Sequence, residues 1–328
     1  MTHINDGASN PENRSARNVF AALTIDRASR RRRDDVWVAA QVEARESRFL
    51  PVWGEEVLVT DESPPRPGWL GPDRARDLLG EAESVILLGE DGDHAYFALG
   101  LPVSRDSLPG TLARIGTFRR LRTVAALLDG QAASMLAYAK ALVHYHHHHR
   151  FCGRCGAPTM SAAGGQLRQC TNPACGQQDF PRTDPAIIVL VSSGDRCLLG
   201  RQPTWPEHYY SIIAGFVEPG ETLEAAVVRE VKEETGIRVR DVQYHSSQPW
   251  PFPRSLMMGF TATAETTAIR LHDGELEEAR WLSRDDIVRE LKQGTLQLPS
   301  LISISHRLIE TWFDADGSRS LKQLLEQR

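Results

Sequence analysis

The sequence predicts an α/β protein of two domains with a small metal-binding piece between them. Three observations carry this: a chain of 328 residues is about two domains long, strand-like alternation gives way to helical periodicity twice along it, and four of the five cysteines fall between Cys152 and Cys175. Apolar residues make up 41 %, enough for buried cores and against wholesale disorder. The expected boundaries are a disordered tail over 1–17, an N-terminal α+β domain over 18–149, a cysteine-rich piece over 150–181, an α/β domain over 182–315 and a C-terminal tail over 316–328.

The polar stretch Met1 to Arg17 lacks the apolar run of a secretory signal, and no window approaches 18 uninterrupted apolar residues. The expectation is a cytoplasmic protein that does not cross a membrane. Lys and Arg number 38 against 43 Asp and Glu, a net charge of -5, which argues against a chain whose main work is coating nucleic acid or an anionic membrane. Arg30 to Arg33 reads as a solvated surface turn rather than a phosphate patch, because Asp34 and Asp35 offset it.

Val36-Trp37-Val38, Val57-Leu58-Val59, Val85 to Leu88 and Tyr96 to Leu99 read as strands, the last two joined by the hairpin signal Gly89-Glu-Asp-Gly-Asp93. Arg119 to His149 contains no Pro and spaces its apolar residues at helical intervals, so two helices are expected to close this domain. His144 and the run His146 to His149 read as an exposed helix end whose imidazoles suit the C-terminal dipole, rather than as a metal site.

Cys152-Gly-Arg-Cys155 and Cys170-Thr-Asn-Pro-Ala-Cys175 form two chelating knuckles. Four sulfurs fit a closed tetrahedral Zn²⁺ site that is structural, since no coordination position remains for water. Five cysteines with this spacing fit a reducing compartment rather than a disulfide framework. Cys197, in a strand-like run, reads as an ordinary buried thiol.

Ala186 to Val191 and Arg196 to Leu199 read as a hairpin, and Thr222 to Glu234 as a helix ended by Gly236. Along that helix Glu230, Glu233 and Glu234 stand at i, i+3 and i+4, bringing three carboxylates within about 6 Å on one face. Like charges so close call for a cation, and hard oxygen ligands suit Mg²⁺ or Mn²⁺. Further on, Ser247-Gln248-Pro249-Trp250-Pro251-Phe252-Pro253-Arg254-Ser255-Leu256-Met257 alternates prolines with aromatics. Such a segment either holds a planar ring ligand or packs as a rigid edge strand.

Gly215, Glu221, Arg229, Glu230, Val231, Glu233, Glu234, Gly236 and Ile237 match every defining position of the Nudix box. The proline and aromatic run matches the motif of the NADH pyrophosphatase subfamily, which also carries a four-cysteine zinc ribbon. The chain therefore resembles that subfamily from about Val36 to about Phe313. The resemblance implies a Nudix α/β/α sandwich preceded by a zinc ribbon and an N-terminal α+β domain. It also implies a hydrolase that cuts the pyrophosphate of NAD(H) or related dinucleotides to nicotinamide mononucleotide and AMP, and a homodimer. It makes Glu230, Glu233 and Glu234 ligands of Mg²⁺ or Mn²⁺, Arg229 the orienter of the carboxylates and Glu221 an outer support. Which of Glu233 and Glu234 polarises the water stays open. Glu275 matches a further acidic ligand, with Glu278 as competitor. Phe180 and Phe216 match aromatics against the nicotinamide, Phe216 having a core role as its alternative. Gln248, Trp250, Phe252, Ser255, Met257 and Ser305 complete the implied substrate contacts. Two rivals remain: removal of NAD caps from RNA 5′ ends by the same chemistry, and a zinc-ribbon nucleic-acid-binding module on a degenerate box. The complete glutamate set and the acidic charge speak against the second.

Overall fold

A computed structural model describes residues 13–102, 110, 112–272 and 274–326. The chain divides into two compact units. The N-terminal unit holds residues 22–183 and 250–254, and the C-terminal unit holds the described parts of 1–21 together with 184–249 and 255–326.

The N-terminal unit contains α1 (Asp35–Glu43), β1 (Arg48–Trp53), β2 (Glu56–Val59), α2 (Pro72–Glu81), β3 (Ser84–Glu90), β4 (Ala95–Leu101), β5 (Thr117–Arg120), α3 (Leu121–Val124) and α4 (Gly130–His148). A ribbon of β6 (Thr159–Ala162), β7 (Leu167–Cys170) and β8 (Gln178–Asp179) follows. The main sheet runs β3-β4-β1-β2-β5, with β1 parallel to β4 and its other neighbours antiparallel. Its core gathers Phe49, Leu58, Leu78, Leu87, Phe97 and Leu99, and the Phe49 and Phe97 rings stack at 5.3 Å.

The strand expected at Val36-Trp37-Val38 is instead the start of α1. The Asp34 carboxylate accepts from the N–H groups of Val36 and Trp37, both at 3.1 Å, and so caps a helix. Val36 is exposed, while Trp37, Val38 and Val42 lean on the core. Three apolar residues in a row fit either period, and the cap decides. The two helices expected over Arg119 to His149 reduce to the short α3 and one long α4, whose cap is Asp129.

The C-terminal unit contains β9 (Asp184–Ser193), β10 (Arg196–Arg201), β11 (Ile213–Phe216), α5 (Leu223–Thr235), β12 (Val239–Trp250), β13 (Ser255–Ala264), β14 (Glu278–Ser283), α6 (Arg284–Gln293), α7 (Ile304–Asp314) and α8 (Leu321–Glu326). Its sheet runs β12-β13-β9-β10-β14, with β11 added on β9. β9 is parallel to β13 and antiparallel to β10 and β11. Residues alternate across β9 with the strand period of two: Ile187, Val189 and Val191 meet Val227 and Val231 of α5, whereas Ile188 and Leu190 join Ile287, Leu291 and Leu308 of α6 and α7. The result is an α/β/α sandwich with a core on each face of the sheet.

Residues 1–12 of the expected tail lie outside the described residues. Arg14–Arg17 form a 3₁₀ turn, and Asn18 donates from its side-chain amide to Ser246 Oγ and Ser247 O on β12, at 3.2 and 2.9 Å. Residues 13–21 thus belong to the C-terminal unit rather than to a free tail and the N-terminal domain. The expected C-terminal tail is likewise corrected: Leu321 opens α8 and is fully buried with Phe313, because an apolar residue within reach of an open core edge packs there.

Candidate active site and metal centre

The sequence builds α5 with both ends specified. Thr222 Oγ1 accepts from Ala225 N at 3.2 Å to start it, and Gly236, at φ 70°, ends it in the left-handed conformation. The helix carries Arg229 and the three glutamates at fixed angular spacing. Arg229 is the hub. Its Nε and one terminal nitrogen grip Glu221 bidentately at 2.8 and 2.9 Å. Its other terminal nitrogen reaches Glu230 Oε1 at 2.8 Å and Glu233 Oε2 at 3.0 Å. It also donates to the Phe216 carbonyl at 3.0 Å, tying the helix to the end of β11. Five contacts from one guanidinium fix where the carboxylates lie, and they hold the Arg229 pKa above its ordinary value, the Glu221 bond foremost.

The glutamates differ in exposure: Glu234 is 4 % exposed, the Glu230 side chain 13 % and the Glu233 side chain 55 %. Burial pushes the Glu230 pKa up, and the charges of Glu233 and Glu275 add to that push against the pull of Arg229. Glu275, in the turn before β14, therefore acts on the same locus as Glu230. Glu278 is engaged elsewhere: it accepts from the Tyr210 hydroxyl at 2.7 Å and pairs with Arg280 at 3.3 Å. A Cβ added to Gly215 would stand 2.0 Å from Glu230 Cδ, so the glycine lets this carboxylate keep its place against β11.

Phe216 is 60 % exposed, which removes the alternative of a core residue. Phe180, in the N-terminal unit, is 55 % exposed. Met257 packs partly buried against the α7 core, and Ser255 opens β13 opposite Asp184. Ser305 is buried, with its hydroxyl 2.8 Å from Ser211 Oγ. Gln248 is fully buried: its amide donates to Val19 O and Ile302 O at 2.8 and 2.7 Å, and its Oε1 accepts from Ile304 N at 2.8 Å. Both N–H groups are committed to backbone, so Gln248 is a structural clamp and not the substrate contact expected of it. Trp250 and Phe252 meet edge to face at 5.0 Å in the N-terminal unit. Arg122 lies over both rings, and Lys140, buried on α4, donates to Pro251 O at 2.7 Å. This anchoring by two cations left no signal in the sequence, because Arg122 and Lys140 are more than a hundred residues away.

In the ribbon the four cysteine sulfurs lie within 4.8 Å of one another. Cys155 and Cys170 are 3.5 Å apart and Cys152 and Cys175 3.9 Å, on either side of the roughly 3.8 Å edge of a tetrahedron with 2.3 Å Zn–S bonds. A backbone hydrogen bond at Ala157 holds the Cys155 thiol down at about 7, while burial pushes Cys170 up to about 12. Four such sulfurs cannot all ionise side by side without a cation, which is the fit expected of zinc. Among the described residues no acidic trio is gathered as tightly. Cys197 is fully buried on β10, and burial pushes its thiol up to about 12.

The exposed helix end expected for the histidine run is corrected at His146. That imidazole faces inward, 2.7 Å from Gly165 O and 3.0 Å from Arg168, and burial pushes its pKa down to about 4. The 3.6-residue period of α4 turns this one ring of the run to the core.

An α/β/α sandwich with a carboxylate helix, accompanied by a four-cysteine ribbon, defines the class of protein. Family models match in three stretches: the NUDIX domain over residues 181–302, the NADH pyrophosphatase-like rudimentary NUDIX domain over 46–144 and the NADH pyrophosphatase zinc ribbon domain over 147–178. The NAD-capped RNA hydrolase NUDT12 of Homo sapiens is 32 % identical over 337 residues, covering 90 % of this chain and 73 % of that one. The NAD-capped RNA hydrolase NudC of Mycobacterium bovis is 45 % identical over 202 residues, 58 % of this chain and 64 % of that one. The chain thus spans about 64 % of the length of its mycobacterial relatives. A NUDIX hydrolase structure from Nitrosomonas europaea aligns at a TM-score of 0.42 and 19 % identity, covering 52 % of this chain and 94 % of that one. The chain belongs to the Nudix family, in its NADH pyrophosphatase branch with a zinc ribbon. No helix among the described residues is long and apolar enough to cross a membrane.

Proposed function

We propose that this chain is a divalent-metal-dependent hydrolase that cuts the pyrophosphate bond of NAD(H) into nicotinamide mononucleotide and AMP. The observation that carries the reading is the Arg229 hub, which fixes Glu221, Glu230 and Glu233 around one guanidinium beside the buried Glu234. Burial raises the Glu230 pKa, and the nearby charges of Glu233 and Glu275 add to it, a gathering of carboxylates that fits a hard cation. Glu230, Glu233, Glu234 and Glu275 would hold Mg²⁺ or Mn²⁺, whose charge would offset that of the diphosphate. Arg229 keeps the carboxylates aimed, and Gly215 keeps the approach to Glu230 clear. Phe216, exposed at the end of β11, offers a ring face for nicotinamide.

The test is product analysis over a panel of dinucleotides with and without Mg²⁺. Release of nicotinamide mononucleotide and AMP from NAD(H) is expected, and no release from either redox form overturns the reading. Removal of NAD caps from RNA 5′ ends is the second reading, supported by relatives named for that activity. It breaks the same bond, and comparison of capped RNA with free NADH ranks the two. A homodimer is what the family resemblance implies, and sedimentation tests it.

A further inference from the structure

Arg201 ends β10 with its side chain only 13 % exposed, and no step of the proposed chemistry uses it. It is tied to two stretches of the C-terminal unit. One terminal nitrogen pairs with the Glu277 carboxylate, and the Arg201 carbonyl accepts from Glu277 N at 3.0 Å, carrying the β10–β14 ladder one residue beyond the pairing of Arg201 with Glu278. The other terminal nitrogen donates to the carbonyls of Trp205 and Pro206, at 3.0 and 3.2 Å. A planar guanidinium committed on both sides holds one orientation.

Glu277 stands two residues after Glu275. Between them Leu276 is buried in one cluster with Ile213 of β11 and with Val227 and Val231 of α5, which sets this turn beside the carboxylate helix. Glu275 itself is exposed, and its charge bears on Glu230. Each of the three residues that follow it is fixed by a separate contact: Leu276 by the core, Glu277 by Arg201 and Glu278 by Tyr210. Apolar burial is non-directional and sets only how deep the turn lies, whereas the bonds to Arg201 are directional and set its orientation.

We propose that Arg201 is a positioning residue that holds the Glu275 carboxylate beside Glu230 so that both can ligate one divalent cation, an inference that rests on the reading of Glu275 as a ligand of Mg²⁺ or Mn²⁺. Positioning and plain electrostatics have opposite signs here. Arg201 is a cation, so if its charge alone mattered, its removal would tighten the hold on a second cation. Loss of aim weakens that hold instead.

The experiment titrates Mn²⁺ into the full-length, zinc-loaded chain and follows binding by water-proton relaxation, which needs no turnover. Residues that orient a ligand change metal affinity about 10- to 100-fold, so Arg201→Met should weaken Mn²⁺ binding at least about tenfold. Arg201→Lys, which keeps the charge but not the fork, should fall between that variant and wild type. In a Glu275→Gln background Arg201→Met should cost nothing more, because a residue that acts through Glu275 has no effect once that ligand is gone. Ile287→Val, in the core beneath α6, controls for general destabilisation and should leave Mn²⁺ affinity unchanged. Circular dichroism and zinc content report folding, and Arg201→Lys carries the same cycle if Arg201→Met does not fold. Equal or tighter binding in Arg201→Met, a loss that adds to that of Glu275→Gln, or an equal loss in Ile287→Val overturns the proposal while Glu275 remains a ligand. Unchanged binding in Glu275→Gln overturns the reading of Glu275 as a ligand, and the proposal with it.

Discussion

Gly215→Ala tests the proposed site through its tightest backbone approach. The added methyl would stand 2.0 Å from Glu230 Cδ, where ordinary contact begins at 3.4 Å, so the carboxylate must retreat by about 1.4 Å. It can do so, since it is the end of a flexible side chain, and alanine suits the paired strand position opposite Ile187. The fold should lose only a rotamer penalty and part of the bond to Arg229, about 1 to 2 kcal/mol, or a fall in melting temperature of roughly 2 to 8 °C. Catalysis should suffer more, because an error of about 1 Å in a group that positions the reaction lowers turnover about a hundredfold. The assay is steady-state hydrolysis of NADH across a Mg²⁺ series, with a melting curve on the same sample. The expected outcome is a folded protein with kcat down about a hundredfold and a raised Mg²⁺ requirement. A kcat within about threefold of wild type at saturating Mg²⁺ would refute the argument that Glu230 must occupy its present position.

Three further outcomes are expected. Cys152→Ser should release zinc and lower the melting temperature, with activity falling only in step with the folded fraction; unchanged zinc per chain would exclude the four cysteines as its ligands. Phe216→Ala should weaken NADH several-fold more than a dinucleotide lacking nicotinamide, because stacking is worth on the order of 1 kcal/mol; equal losses in kcat/KM for both would remove the ring contact. His146 is buried neutral with its pKa near 4, below the 6.5 of an exposed imidazole. Between those values the unfolded chain binds the extra proton, so stability should fall as pH drops from about 6.5 to about 4 and level off below. In His146→Gln, melting curves over that range should show a shallower pH slope, and an unchanged slope would mean that the native imidazole is not held neutral.

What the sequence determined by itself was whatever nearby residues settle. Thr222 and Gly236 bound α5 whatever surrounds them, the heptad-scale spacing of Arg229, Glu230, Glu233 and Glu234 sets their angles, and each cysteine knuckle closes over a few residues. The apolar run Ala186 to Val191 likewise announced the strand β9. Tertiary structure decided what depends on distant partners. Val36-Trp37-Val38 falls between the two, for its Asp34 cap is local and only the packing of Trp37 on the core depends on distant residues. Parallel pairing of β1 with β4 and of β9 with β13 has no local signature, since the partners are tens of residues apart. Gln248 was legible as part of a motif, but its commitment to Val19, Ile302 and Ile304 was not. Glu275 and Glu278 look alike in the sequence, and only the Tyr210 and Arg280 contacts separate them. The reason is physical: caps, periods and chelate spacings act over one or two turns of chain, whereas burial, charge pairing and strand order are settled by groups that folding alone brings together.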